Sequence, residues 1–363
     1  MRRRVDETAA SKRTEGKSVK RETGEVQIKT RSSWWVWVKR GLIALCTLYV
    51  ATPFILQFFP SVIQYLVYKH AVTYFVDLRR PCDLGLNHTV NMYLTSEAGV
   101  TLGVWHTVPE QKWKEAQGKS LAWYEQSLGD GSPVFIYLHG NTGNRAAPHR
   151  LGVANVLSAL GYHAVVMDYR GFGDSTGEPT EAGLTTDTLY LYHWVRARSK
   201  DSLVIIWGHS LGTGVATNTA VKLHEQGNPA DAVILEGAFT VAEMPKGYPH
   251  PFTWYFRNYY WRFPYIQYYF SQDSIKANKF VLPNVQNLKK MTTPLMILHS
   301  KDDHMAPFRM AEELYNTAKS VLKSENKVRL VAFDGSHGYL HNGLYRDPAL
   351  PNYIREFVQS VAK

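Results

Sequence analysis

The 363 residues carry 45% hydrophobic side chains, enough for one large buried core, and a formal net charge of +10. The charge is uneven: residues 1–40 hold 12 Lys and Arg against 5 Asp and Glu, a net of +7, which leaves +3 for the rest of the chain. A basic leader on a nearly balanced body argues against a nucleic-acid-binding surface. Two cysteines, Cys46 and Cys82, are too few for a disulfide framework or a cysteine metal site.

Residues 1–40 read as a basic, disordered cytosolic tail, closed by Trp34, Trp35 and Trp37 beside Lys39 and Arg40, a pattern suited to a membrane edge. From 41 to 60 the chain is almost continuously apolar and uncharged, about the length a helix needs to cross hydrocarbon, so a single transmembrane helix is expected there. A cleaved signal peptide is the weaker reading, because the leader is too long and no clean small-residue cleavage site follows. The positive-inside rule keeps the leader in the cytosol and puts the body on the far side. In agreement, Asn87-His88-Thr89 is an N-glycosylation acceptor. Residues 61–100 are expected to form a membrane-proximal segment, with 61–80 either lying on the membrane surface or packed on the body.

From residue 101 to 363, short β-branched runs alternate with helical patterns. Strands are expected at 102–107, 134–138, 163–168, 203–207, 232–235, 295–299 and 328–333, and helices at 149–160, 185–199, 213–226, 310–321 and 353–361. Continuous apolar runs of strand length mark central strands of a mostly parallel sheet covered by helices on both faces, an α/β class. Residues 240–287 interrupt the alternation. Within 248–270, 13 of 23 residues are aromatic against 13% for the whole chain, which reads as an inserted cap.

Gly208-His209-Ser210-Leu211-Gly212 follows the strand 203–207 and precedes a helix, the context of a nucleophile elbow. The flanking glycines allow the tight turn that pushes Ser210 clear of the sheet. A serine hydroxyl needs a base steadied by a carboxylate, and the chain order in such folds is serine, acid, histidine. Asp303, after the strand 295–299, is the expected acid, with Asp302 the fallback and Glu236 a distant third. His337, in the loop after the last strand, is the expected base; His341 is its one serious rival and His304 a weaker one. The Leu211 N–H and Asn141, in His139-Gly140-Asn141-Thr142-Gly143, are the expected oxyanion donors. Asp168, Arg170 and Asp174 read as a salt-bridged structural turn.

His139-Gly140-Asn141, the run DYRGFGDS at 168–175 and WGHSLGTGVATN at 207–218 closely resemble the membrane-anchored α/β-hydrolase-domain lipases, the lysophosphatidylserine lipase and monoacylglycerol lipase family. The likeness extends through Gly85-Leu86-Asn87-His88-Thr89, 103–109 and Leu298-His299. It implies an α/β-hydrolase fold, an endoplasmic reticulum membrane protein with a lumenal active site, no cofactor, a single-chain lipid substrate, and a triad on Ser210, Asp303 and His337. Departures are Glu236-Gly237-Ala238-Phe239, where the family commonly has Glu-Ser-Pro-Phe, and a shorter histidine loop. The alternatives are a catalytically silent scaffold binding lipid or protein, and a thioesterase or other esterase. Arg145, Arg150, Arg257 and Arg262 are the cations considered for a lipid head group, though surface solubility is the plainer role for each. The sequence leaves the oligomeric state and the head-group preference open.

Overall fold

The computed structural model describes residues 33–58, Tyr68, 74–240, 282–322 and 327–362. The leader up to residue 32, most of 59–73 and nearly all of the expected cap, 241–281, lie outside these residues. The chain divides into two compact units, Met1–Thr52 and Pro53–Lys363.

Helix α1, Ser33–Phe58, runs 26 residues and exposes Trp34, Trp35, Trp37, Leu42, Ile43, Leu45 and Leu48 around its circumference. Counted over the described residues alone, no helix is long and apolar enough to cross a membrane.

The second unit is built on an eight-stranded sheet in the order β1-β2-β4-β3-β5-β6-β7-β8. The strands are β1 (Thr89–Glu97), β2 (Val100–Thr107), β3 (Val134–Leu138), β4 (His163–Met167), β5 (Val204–His209), β6 (Ala232–Glu236), β7 (Leu295–Ser300) and β8 (Val328–Phe333). β1 and β2 form an antiparallel hairpin, β2 meets β4 antiparallel, and every other pairing is parallel. Every residue of β3, β4, β5, β6 and β7 is buried, as expected of strands with apolar side chains on both faces.

Alternate residues serve opposite layers. Val134, Ile136, Val204 and Ile206 pack on one core with Leu184 and Leu191 of helix α5 (Glu181–Ser199), Val215 of α6 (Leu211–Glu225) and Leu314 of α8 (Phe308–Leu322). Phe135, Tyr137, Ile205 and Trp207 face the other core, with Val153 and Leu157 of α4 (Pro148–Ala159) and Ile354 and Phe357 of α9 (Leu350–Val361). Two short helices, α2 (Trp113–Ala116) and α3 (Leu121–Ser127), lead into β3. Helix α5 starts at Glu181, four residues before the sequence places it, because the Thr180 hydroxyl accepts the Gly183 N–H at 3.0 Å and caps it.

Two boundaries shift. β1 lies within 61–100, the stretch expected to be membrane-proximal, and pairs with β2 from Thr89↔Thr107 to Glu97↔Val100. Its half-buried, alternating polar residues hide it from a search for continuous apolar runs. At the far end of the expected cap, residues Asn284–Leu288 form α7, and buried Asn284 donates to Thr213 Oγ1 at 3.1 Å and accepts from Thr217 Oγ1 at 2.7 Å, so this stretch belongs to the body.

Candidate active site

β5 ends at His209 and α6 begins at Leu211, so one residue, Ser210, makes the whole turn, with φ 51° and ψ −117°. A residue bearing a side chain holds such a backbone only when its surroundings impose it. A Cβ on Gly208 would sit 2.2 Å from the Gly212 carbonyl oxygen, and one on Gly212 would sit 2.0 Å from that of Leu138. Glycine is therefore required at both flanks by close backbone approach. The Ser210 N–H donates to Glu236 O at 3.0 Å, and Thr213 donates to Ser210 O through its N–H at 2.9 Å and its hydroxyl at 2.7 Å. The Leu211 N–H is the first of α6, at the positive end of the helix.

The loop after β3 crosses beside this serine, since a Cβ on Gly140 would lie 3.3 Å from Ser210 Cβ. Asn141 follows, half-buried, its amide oxygen accepting from the Thr142 hydroxyl at 3.2 Å. Beneath the loop lies Arg150 of α4, whose side chain is fully buried. Its guanidinium donates to Gly140 O at 3.4 Å and to the carbonyls of Thr142 and Asn144. Gathering three carbonyls onto one cation turns the N–H edges of those peptides away from it. Arg145 is buried as well, bonded to Asp168 at 2.6 Å, Asp174 at 2.5 Å and Asn91 at 2.8 Å. Of the four arginines considered for a head group, Arg145 and Arg150 are thus buried and structural, not on the surface, and Arg257 and Arg262 lie outside the described residues. Asp168 and Asp174 are salt-bridged as expected, but through Arg145; Arg170 pairs instead with Asp187 and Glu97, each at 2.7 Å.

The expected acid, Asp303, lies just past β7, its side chain 1% exposed. One carboxylate oxygen accepts the N–H groups of Met305 and Ala306 at 2.8 and 2.9 Å, and the other accepts His341 Nδ1 at 2.7 Å. Burial opposes its ionisation, yet the His341 hydrogen bond and charge, helped by the Ala306 N–H, hold its pKa below the ordinary carboxylate value. With Nδ1 donating to Asp303, His341 Nε2 carries the lone pair, buried and without a partner among the described residues. Asp302 serves the backbone instead, its carboxylate accepting from the Ser300 hydroxyl and from the Leu340 N–H at 3.1 Å. Leu340, at φ 51°, is thereby held in an unfavourable turn that delivers the next residue, His341.

The expected base, His337, is corrected to His341. His337 is exposed and stacks on Tyr339 at 5.3 Å. β8 and β5 stand three strand spacings apart in the sheet, roughly 14 Å, and the residues straight after β8 are used in a tight 3-10 turn that advances only about 2 Å per residue. The Asp334 carboxylate caps the start of that turn by accepting the Ser336 N–H at 2.8 Å, and Gly338, left-handed at φ 66°, ends it after His337. Four further residues bring His341 over β5, where its backbone carbonyl accepts His209 Nε2 at 3.0 Å. His304 is exposed on the Asp303 loop.

Three more groups shape the site: His209 and Gly237, to which the sequence gives no role, and Glu236. Burial, and next His341, push the His209 pKa down to about 3, so it is neutral and its Nε2–H donates to His341 O. Its ring lies 5.0 Å from that of His341 and 5.0 Å from that of His149. Gly237, at φ 56°, leaves room for the base, since a Cβ there would lie 3.0 Å from His341 Cε1. Glycine suits that left-handed backbone, which accounts for the departure at this position. Glu236, the third acid candidate, accepts from Trp207 Nε1 at 3.0 Å, while Asp303 holds the histidine. Burial raises its pKa to about 8.

Comparison with known proteins gives the family and the fold. Residues 133–265 match the α/β hydrolase fold family. The chain is 44% identical over 332 residues to the lysophosphatidylserine lipase ABHD12 of Rattus norvegicus, covering 90% of this chain and 82% of that protein. It is 44% identical to protein ABHD12B of Homo sapiens over 288 residues, 78% of this chain and 76% of that one. Among solved structures, an α/β hydrolase from Vibrio vulnificus superposes with a TM-score of 0.52 at 18% identity, over 82% of this chain and 92% of that one, a likeness of fold. The elbow, the carboxylate-bound histidine and these identities agree: the chain belongs to the ABHD12 family of α/β hydrolases.

Proposed function

We propose that this protein is a membrane-bound serine hydrolase that cleaves fatty-acyl esters of single-chain lipids, lysophospholipids such as lysophosphatidylserine and monoacylglycerols. The observation that carries the reading is the buried Asp303 to His341 hydrogen bond of 2.7 Å, with the other imidazole nitrogen buried and without a partner among the described residues. His341 Nε2 removes the Ser210 proton as Oγ attacks the ester carbonyl carbon, and Asp303 steadies the imidazolium. Negative charge on the former carbonyl oxygen is met by the Leu211 N–H and by the Asn141 region of the loop held by Arg150. The intermediate collapses to an acyl-serine as His341 returns the proton to the leaving alcohol; water, activated by the same nitrogen, then releases the fatty acid.

The apolar run at 41–60 and the exposed apolar circumference of α1 support a lipid-embedded anchor, with the basic leader cytosolic and the hydrolase in the lumen of the endoplasmic reticulum. Asn87 sits in an exposed turn, as a glycan acceptor must. Fluorophosphonate labelling of the membrane-bound protein tests the chemistry: wild type should label and Ser210→Ala should not, and equal labelling of both would remove Ser210 from the mechanism. The same material, treated with a glycosidase, should gain mobility on a gel; no shift would remove the support that Asn87 gives to the lumenal placement.

A further inference from the structure

The function proposed above leaves open which part of the lipid the protein reads, and the cleft beside His341 bears on this. Its volume is about 340 Å³, and His149, His304, Tyr339, His341, Tyr345 and Arg346 are among its lining residues. No Asp or Glu lines it among the described residues. Arg346 is exposed, bonded only to neutral carbonyls, Gly338 O at 3.1 Å and Gly343 O at 3.4 Å, with its guanidinium carbon 5.7 Å from the centre of the Tyr339 ring. It forms no ion pair with a carboxylate among the described residues. His149 Nε2 is buried and has no hydrogen-bond partner among them either. The wall is firm, because Tyr345 packs so closely on α4 that a Cβ on Gly152 would lie 2.1 Å from its ring.

The position of the cleft follows from the chemistry. His341 must hand its proton to the leaving alcohol, so the alcohol half of the ester lies on the His341 side of Ser210. In a lysophospholipid that half is the glycerol carrying the phosphodiester head group. We propose that this cleft is the head-group subsite and that Arg346 reads an anionic phosphodiester there. Guanidinium geometry suits a phosphate oxygen pair, and the pocket is large enough for a small polar head but not for an acyl chain as well.

This rests on the esterase reading, and the test separates the two. The full-length membrane protein, as wild type, Arg346→Gln and Arg346→Lys, is assayed on lysophosphatidylserine and on a monoacylglycerol with the same acyl chain, with fluorophosphonate labelling in parallel. Arg346→Gln should raise KM for lysophosphatidylserine about tenfold, with Arg346→Lys between it and wild type, while monoacylglycerol turnover and labelling stay within about twofold. Wild type cleaving both lipids with Arg346→Gln unchanged, or losing both activities equally, would overturn the assignment of Arg346 and leave the esterase reading intact. Wild type cleaving neither lipid would overturn the esterase reading itself.

Discussion

Exchanging His341 for alanine leaves Asp303 buried without its imidazole and Ser210 without a base. Hydrolysis should fall by about 10³-fold or more, as when a triad member is removed elsewhere. His337→Ala should stay within about twofold of wild type, because that ring only stacks on Tyr339 in solvent. Ester hydrolysis by the two variants checks this, and the reverse ranking would reinstate His337. Ser210 is legible from residue order alone, since its flanking glycines have a steric reason that can be written down before any coordinates. The histidine is not, because two candidates four residues apart are told apart by how much chain the turn after β8 consumes. That length depends on the Asp334 cap over Ser336 and on the positive φ of Leu340, held by the distant Asp302 carboxylate. Asp303 is preferable to Asp302 in the sequence only by position; the structure separates them by what each carboxylate accepts.

At the scale of elements, helix α4 acts on the site from below. Arg150 ties three carbonyls of the loop after β3 together, and burial lowers its pKa by taking the guanidinium out of water. Arg150→Met keeps much of the side-chain volume but frees those carbonyls. The expected result is a fall in kcat of roughly 10- to 100-fold, below the loss from deleting a direct donor, with KM changed by less than about threefold. Steady-state kinetics decide it, and a rise in KM with kcat intact would make Arg150 a substrate-binding support instead. The parallel strands are readable because burial on both faces demands unbroken apolar runs. β1 and the two helices before β3 are not, because a half-exposed edge strand and helices of one and about two turns leave short, mixed patterns.

The whole molecule holds an unusual store of buried imidazoles. His106, His139, His149, His209 and His299 all have pKa values pushed below 6.5, in each case chiefly by burial. The folded protein refuses protons that the unfolded chain takes up near pH 6.5, so stability is full above that pH and is lost as pH falls below it. Glu236 works the other way: with its folded pKa raised to about 8, its contribution is full below the ordinary value of 4.5 and fades as pH rises toward 8. Five groups outweigh one, so the melting temperature at pH 5.5 should be roughly 5 °C or more below that at pH 7.5, and Glu236→Gln should steepen the fall. Thermal unfolding of the detergent-solubilised protein at the two pH values checks this; equal values would mean that those imidazoles are not held neutral. The order of the strands has one further consequence. β5, with the nucleophile, is made well before β8, yet the base arrives on the segment that leaves β8 and reaches back across three neighbours. A chain still emerging from the ribosome therefore carries a serine that can attack nothing. The enzyme is switched on only when the stretch around residue 341 has docked, so a chain made no further than β8 is chemically silent.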